Sequence, residues 1–155
     1  MLDRDPGEAA RALCGRHIVK MIIETAQLLC TAHPKDIAPY RHTHVNHPCA
    51  KWTRASLANY EWLVEHGLEM CAEYTRRYDN KVHKTQEIIE WCRDTIPDIP
   101  DVGLTPFAVA ISNPSYHDSD PVTSYRAYYI GDKSRFAKWA PRAKPPAWWP
   151  FSEDE

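Results

Sequence analysis

The sequence predicts an all-α fold, a compact single domain built on two long packed helices with shorter helices and an irregular Pro-rich C-terminal segment. Three observations carry this reading. Residues 17–31 read as a helix with His17, Lys20, Glu24, Gln27 and Thr31 in one line and apolar residues in every other direction, the three-and-four spacing that stacks side chains on one face. Residues 57–78 set Leu57, Tyr60, Val64, Leu68, Cys71 and Tyr78 on a second stripe, also at helical period. No stretch has the alternating pattern of a sheet protein, and no internal repeat is evident.

Each element has its own signals. Asp5 suits a helix cap, Pro6 the first helical position and Glu8 the capping-box carboxylate, so a first helix is predicted from Pro6 to about His33, bent at Gly15 and stopped by Pro34. Its all-round apolar character predicts burial, with the polar line satisfied inside or facing a cleft. Residues 34–47 are a Pro- and His-rich loop. Pro48 opens a second helical segment through Arg54, and Ser56 caps its continuation. There Glu61, Glu65, Glu69 and Glu73 form a solvated face. Thr85 caps a third helix holding Ile88, Ile89 and Trp91. Residues 96–120, with repeated Pro and Asp, thread as irregular chain around a short apolar run, Phe107–Ile111. Asp120-Pro121 opens a fourth helix from Pro121 to Ile130, stopped at Gly131. A helical turn around Arg135–Trp139 precedes the tail.

The 155 residues fit one domain, 1–155, with 140–155 a Pro and aromatic tail. The formal charge is −2 and no apolar run approaches the ~18 residues of a membrane span. Met-Leu-Asp-Arg-Asp-Pro lacks the basic and apolar regions of a secretory signal. Cys14, Cys30, Cys49, Cys71 and Cys92 are odd in number and scattered, the usage of reduced thiols in a cytoplasmic protein.

Three constellations bear on chemistry. Lys20 and Glu24 read either as an ion pair that satisfies itself in the core or as a catalytic carboxylate with a neighbouring charge. Between Gly131 and Phe151, Lys133, Arg135, Lys138, Arg142 and Lys144 interleave with Phe136, Trp139, Trp148 and Trp149. Cations beside stacking rings suit nucleic acid; the simpler alternative is a tail whose tryptophans pack back on the core. His42, His44, His47 and Cys49 are the alternative metal set, although their spacing matches no common zinc framework. Asn46-His47-Pro48 reads as a shaped turn, followed by Lys51, Trp52 and Arg54, which can reach a phosphate. No Gly-rich phosphate loop, G-x-S-x-G elbow or H-E-x-x-H is present, which argues against nucleotide-hydrolase, serine-hydrolase and zinc-protease chemistry.

The pattern Leu13-x-x-x-His17 followed by Glu24 resembles the first helix of the phage pyrimidine-dimer DNA glycosylases of the endonuclease V type. Tyr60-x-Trp62-Leu63 through Cys71-Ala72-Glu73-Tyr74 and Arg77-Tyr78 resembles their second long helix, and Trp148-Trp149 their aromatic C-terminus. The His-x-x-Lys-x-x-x-Glu helix and Asn-His-Pro turn are similar to those of further phage proteins. The resemblance implies an all-α single domain working without metal or cofactor. An N-terminal α-amine attacks the sugar C1′ to give an imine, and a Glu at the position of Glu24 assists base loss and strand cleavage. Two departures are plain. Leu2 is bulky and keeps the initiator methionine, leaving the amine on Met1, and Gln27 stands where the family carries an Arg. Lys20 is a second source of an amine.

Together these readings predict a cytoplasmic DNA-processing protein, in an infected bacterial host if phage-encoded. As a base-excision glycosylase and lyase it would act on damaged or modified pyrimidines in double-stranded DNA. Glu24, His17 and Lys20 form the catalytic set. Gln27, Asn46, His47, Lys51, Arg54, Arg126, Lys133, Arg135, Lys138 and Trp139 form the substrate-binding set. The alternatives are an inactive nucleic-acid-binding module and a phage accessory protein that docks a protein partner through its aromatic tail.

Overall fold

Asp5 opens the first helix as its sequence predicts, accepting the Gly7 N–H at 3.3 Å with Pro6 at the first helical position. The computed structural model describes residues 1–152, which hold helices and irregular chain and no strand. The helices are α1 (Pro6–Arg11), α2 (Gly15–Cys30), α3 (Pro48–Ala55), α4 (Leu57–Arg77), α5 (Gln86–Asp94) and α6 (Pro121–Lys133), with a 3-10 turn at Pro114–Tyr116. Helix α4 packs against α1, α2, α3 and α5. At Gly67 it meets α5 so closely that a Cβ there would lie 3.0 Å from Ile89 Cδ1. The last three residues of the expected tail lie outside the described residues.

The predicted first helix is two helices. The chain breaks at residues 12–14, where Cys14 turns extended, and backbone groups freed by the break find partners from distant parts of the chain. Arg77 donates to the Arg11 carbonyl at 3.0 Å and the Leu13 carbonyl at 2.7 Å, and the Trp139 indole donates to the Ala12 carbonyl at 3.1 Å. The Cys14 N–H reaches the Tyr129 hydroxyl at 2.9 Å and the Gly15 N–H the Lys138 carbonyl at 2.8 Å. Buried backbone groups left unpaired would oppose such a break. These contacts remove that cost.

Other boundaries shift for local reasons. Ser56 starts α4 without a side-chain cap, because its hydroxyl donates to Asp101 and accepts the Val102 N–H at 3.1 Å. Thr85 likewise does not cap α5; its hydroxyl meets that of Tyr40 at 2.8 Å. Helix α6 runs through Gly131 to Lys133, and a Cβ at Gly131 would fall inside the Tyr116 phenol. Residues 134–136 form a turn, not a helix. Residues 96–113 are irregular as expected, and all five cysteines are free thiols, four of them buried.

Two expectations about burial are overturned. Helix α2 is not enclosed: Ile18, Ile22, Ala26, Leu29 and Cys30 are buried, but Arg16, Val19, Lys20 and Ile23 face water. Glu73 is not part of the solvated face of α4. It is buried beside Arg77, whose Nε donates to it at 2.8 Å, and Arg76 bonds it from the rim. Burial pushes the Glu73 carboxyl up, but the hydrogen bonds and charges of Arg76 and Arg77 outweigh that and hold it below its usual range.

Removing one partner of a buried pair leaves the other charge uncompensated, so Arg77→Ala should cost about 3–5 kcal/mol in chemical denaturation. Because the folded Glu73 pKa is depressed, its contribution is complete above the unfolded carboxylate value of about 4.3 and is lost as pH falls through the lower folded value. Wild-type stability should therefore drop below that pH more steeply than that of Glu73→Gln. Equal slopes would contradict the assignment.

Candidate functional site

The N-terminal arm comes to α3 and α4, which pack on the helix that carries Glu24. Extended residues 1–5 are strapped down by side chains from elsewhere: Leu2 is buried, Trp62 donates to the Arg4 carbonyl at 2.8 Å, and His66 Nδ1 donates to the Pro6 carbonyl at 3.0 Å. Arg126 of α6 donates from Nε to the Leu2 carbonyl at 2.9 Å and from Nη2 to Asp3 at 3.0 Å. The strap carries the Met1 α-amine into a buried position within electrostatic reach of Cys49 on α3 and His66 on α4. Burial pulls that amine down to about 5, against the opposing charge of Cys49. A neutral amine is a nucleophile.

Cys49 also lies within electrostatic reach of Glu24, so it links the amine and the carboxylate. Burial pushes its thiol up; the Tyr125 hydroxyl, 4.0 Å from the sulfur, and the Met1 amine pull it down. Glu24 sits at the edge of the exposed face of α2 with Lys20 Nζ 3.8 Å away, side chains 45% and 67% exposed. That corrects the expected enclosed cleft and the expected buried Lys–Glu pair. Two cavities, about 430 Å³ and 510 Å³, are lined instead by Arg11, Arg76 and Lys144 and by Asp3, Arg126 and Trp148.

His17 lies beside this face in edge contact with Tyr129 and Phe136, ring centroids 5.3 and 5.7 Å away. Burial, then the charges of Lys133, Lys20 and Arg16, hold its imidazole down to about 4. The ring thus packs edge-on between Tyr129 and Phe136 at the margin of this face. Two of these cations and Arg135 crowd Phe136: Arg16 lies 4.3 Å, Lys133 5.7 Å and Arg135 6.0 Å from its ring centroid. None of these three makes an ion pair with a carboxylate among the described residues. The result is an open face with cations at one end and Glu24 at its edge.

The substrate-binding set divides. Lys133 and Arg135 are on that face, Gln27 is half-buried on α2, and Asn46, Lys51 and Lys138 are exposed. Four members are taken up by the fold. Arg126 holds the strap, Trp139 is buried in the core, His47 caps α3 by accepting the Cys49 N–H at 3.1 Å, and Arg54 donates to the Val45 carbonyl at 2.6 Å. Trp149 is buried and Trp148 half-buried, packed around Tyr129. The simpler alternative for the tail tryptophans therefore holds. His42, His44, His47 and Cys49 do not converge: His42 Nε2 donates to the His33 carbonyl at 2.8 Å, and no His, Cys, Asp or Glu cluster among the described residues is arranged to hold a metal. Sequence reasoning missed Arg16 and the part played by Cys49. Arg16 precedes His17 outside the polar line, and the only sign of Cys49's place was its position just after the Asn-His-Pro turn.

A family model for pyrimidine dimer DNA glycosylases matches residues 2–86, which span α1 to α4 and the start of α5. Searches of curated proteins and of solved structures found no match. The matched stretch includes His17, whose titration tests the geometry directly. In an NMR titration its imidazole should stay neutral until pH about 4. As the unfolded chain takes up that proton near pH 6.5, His17 should remove stability between about 6.5 and 4. A midpoint between 6 and 7 would show that the ring is solvated.

Proposed function

We propose, from the fact that this chain belongs to the pyrimidine dimer DNA glycosylase family, that it releases damaged or modified pyrimidines from double-stranded DNA and cleaves the strand by imine chemistry. The observation that carries this is the desolvated Met1 amine, held down to about 5 on the N-terminal strap, with Cys49 within electrostatic reach of both it and Glu24. At neutral pH its lone pair is free. The nitrogen attacks C1′ of the sugar, the C1′–base bond breaks, and the base leaves with the electron pair and takes up a proton. Ring opening gives a protonated imine.

Glu24 stands where positive charge develops, so its carboxylate stabilises the sugar cation and then the iminium. Loss of a C2′ proton then expels the 3′ phosphate and cleaves the strand. Water hydrolyses the imine and returns the amine. Lys20 keeps Glu24 in place across 3.8 Å, and Arg126 fixes the strap that delivers the amine. Arg16, Lys133 and Arg135 meet the DNA phosphates, taking the part the family's Arg would play where Gln27 stands here. The open setting of Glu24 suits a duplex, which approaches as a broad surface.

Borohydride trapping on duplex DNA with an abasic site tests this reading, after N-terminal sequencing has established which residue carries the amine. Wild type should form a covalent adduct, with a rate that rises through pH about 5 and is flat by neutrality; an inflection near 8 would mean a solvated amine. Glu24→Gln should bind DNA as well as or better than wild type, because a carboxylate facing phosphates is removed, yet lose base release and cleavage. Lys133→Ala with Arg135→Ala should weaken binding at low salt and flatten its salt dependence by roughly one unit of slope per lost phosphate contact. Salt-sensitive binding without trapping would make the protein a binding module; no binding at low salt would remove DNA as the partner.

A further inference from the structure

Helix α2 turns two aliphatic side chains outward where its neighbours are charged. Val19 and Ile23 are 38% and 40% exposed, one turn apart, between Arg16, Lys20 and Gln27. One exposed aliphatic on a protein surface needs no explanation. Two in register do, on the helix that carries Glu24 and beside cations without carboxylate partners. Their positions are also the costliest for apolar groups in a purely electrostatic docking face, since they bring no phosphate contact.

We propose that Ile23, backed by Val19, is a wedge that enters the base stack and occupies the space left when the nucleotide beside Glu24 is unstacked. The inference rests on the reading that DNA docks on this face. Unstacking exposes the apolar faces of neighbouring bases, and an aliphatic side chain covers them where a lysine or glutamine would seek water. Ile23 suits the task by position and stiffness. On the helical wheel it lies on the exposed face between Val19 and Arg16, and a β-branched side chain in a helix holds essentially one χ1 rotamer. The backbone behind Val19 is held as well, since its carbonyl accepts from His83 Nε2, in the loop before α5, at 3.1 Å. Arg16 and Lys133 would grip phosphates while the wedge enters.

The test separates substrates that need unstacking from one that does not. Ile23→Ser alters a water-facing side chain. It should trap on abasic-site DNA within about twofold of wild type, because no base has to leave there. Base release from duplex carrying a pyrimidine dimer should fall about tenfold or more, the loss expected when unstacking goes uncompensated. A 2-aminopurine placed opposite the lesion should brighten on binding wild type and stay quenched with Ile23→Ser, while Ile23→Leu restores both readouts and the salt slope stays unchanged throughout. Equal loss on both substrates, or loss on neither, overturns the wedge while wild-type trapping still supports the enzyme. Wild type that neither binds nor traps DNA overturns the functional reading, and the wedge with it.

Discussion

The buried Arg77 guanidinium is the contact on which the arrangement of the site depends. It reaches from the last turn of α4 into the break between α1 and α2, donating to the Arg11 and Leu13 carbonyls and to Glu73. A continuous helix from Pro6 to Cys30 would use those carbonyls itself and point its N-terminus away from α3. The break lets α1 lie across α4, and the arm before it returns toward Glu24. Glu73 is the necessary counter-charge, since a guanidinium this deep is costly unless paired and hydrogen-bonded. The same region receives Trp139, Tyr129 and Lys138 from the C-terminal part of the chain. Stability and the placing of the site therefore draw on one set of contacts.

Upstream of that break the arm behaves as a strap fastened at several points. Trp62 and His66 of α4 hold the Arg4 and Pro6 carbonyls, and Arg126 of α6 holds Leu2 and Asp3. The consequence is electrostatic. An amine on a loose arm would be solvated and protonated at neutral pH, whereas burial pulls this one down to about 5 against the charge of Cys49. Opposed to this buried group is a solvated one: Glu24 stays half-exposed beside Lys20. A desolvated amine and a half-exposed carboxylate thus arise from different degrees of burial.

Much of the fold was legible in the sequence, because its signals are local. Asp5-Pro6 and Asp120-Pro121 start helices at the residues expected, and the stripe from Leu57 to Tyr78 is α4. What could not be read depends on partners far along the chain. The break at residues 12–14 is stabilised by Arg77, Tyr129 and Trp139, between 64 and 127 residues away for the side-chain bonds that hold it. Glu73 looked like one more glutamate of a solvated row because only the path of α1 buries it. Glu24 was identified by its line on the helix, but that line was read as looking inward. Nine apolar residues around it suggested enclosure, whereas Val19 and Ile23 are apolar and outside.

Those two residues bear on how this site differs from its family's pattern. Where the resemblance implies an arginine near Glu24, the chain has Gln27, so the carboxylate lacks a cation on that side of its own helix. Cations are supplied from elsewhere: Arg16 from the start of α2, Lys133 from the end of α6, and Arg135 from the turn beyond it, all gathered on Phe136. Lysine at the last turn of α6 is also favoured by the helix dipole. The Arg16 end of α2 lies about two turns from the carboxylate, and Val19, Lys20 and Ile23 share the exposed face between. A duplex held at the Phe136 end would meet apolar surface before it met Glu24. The spacing of charge and apolar surface along one helix, rather than a closed pocket, is what this chain has available to choose its substrate.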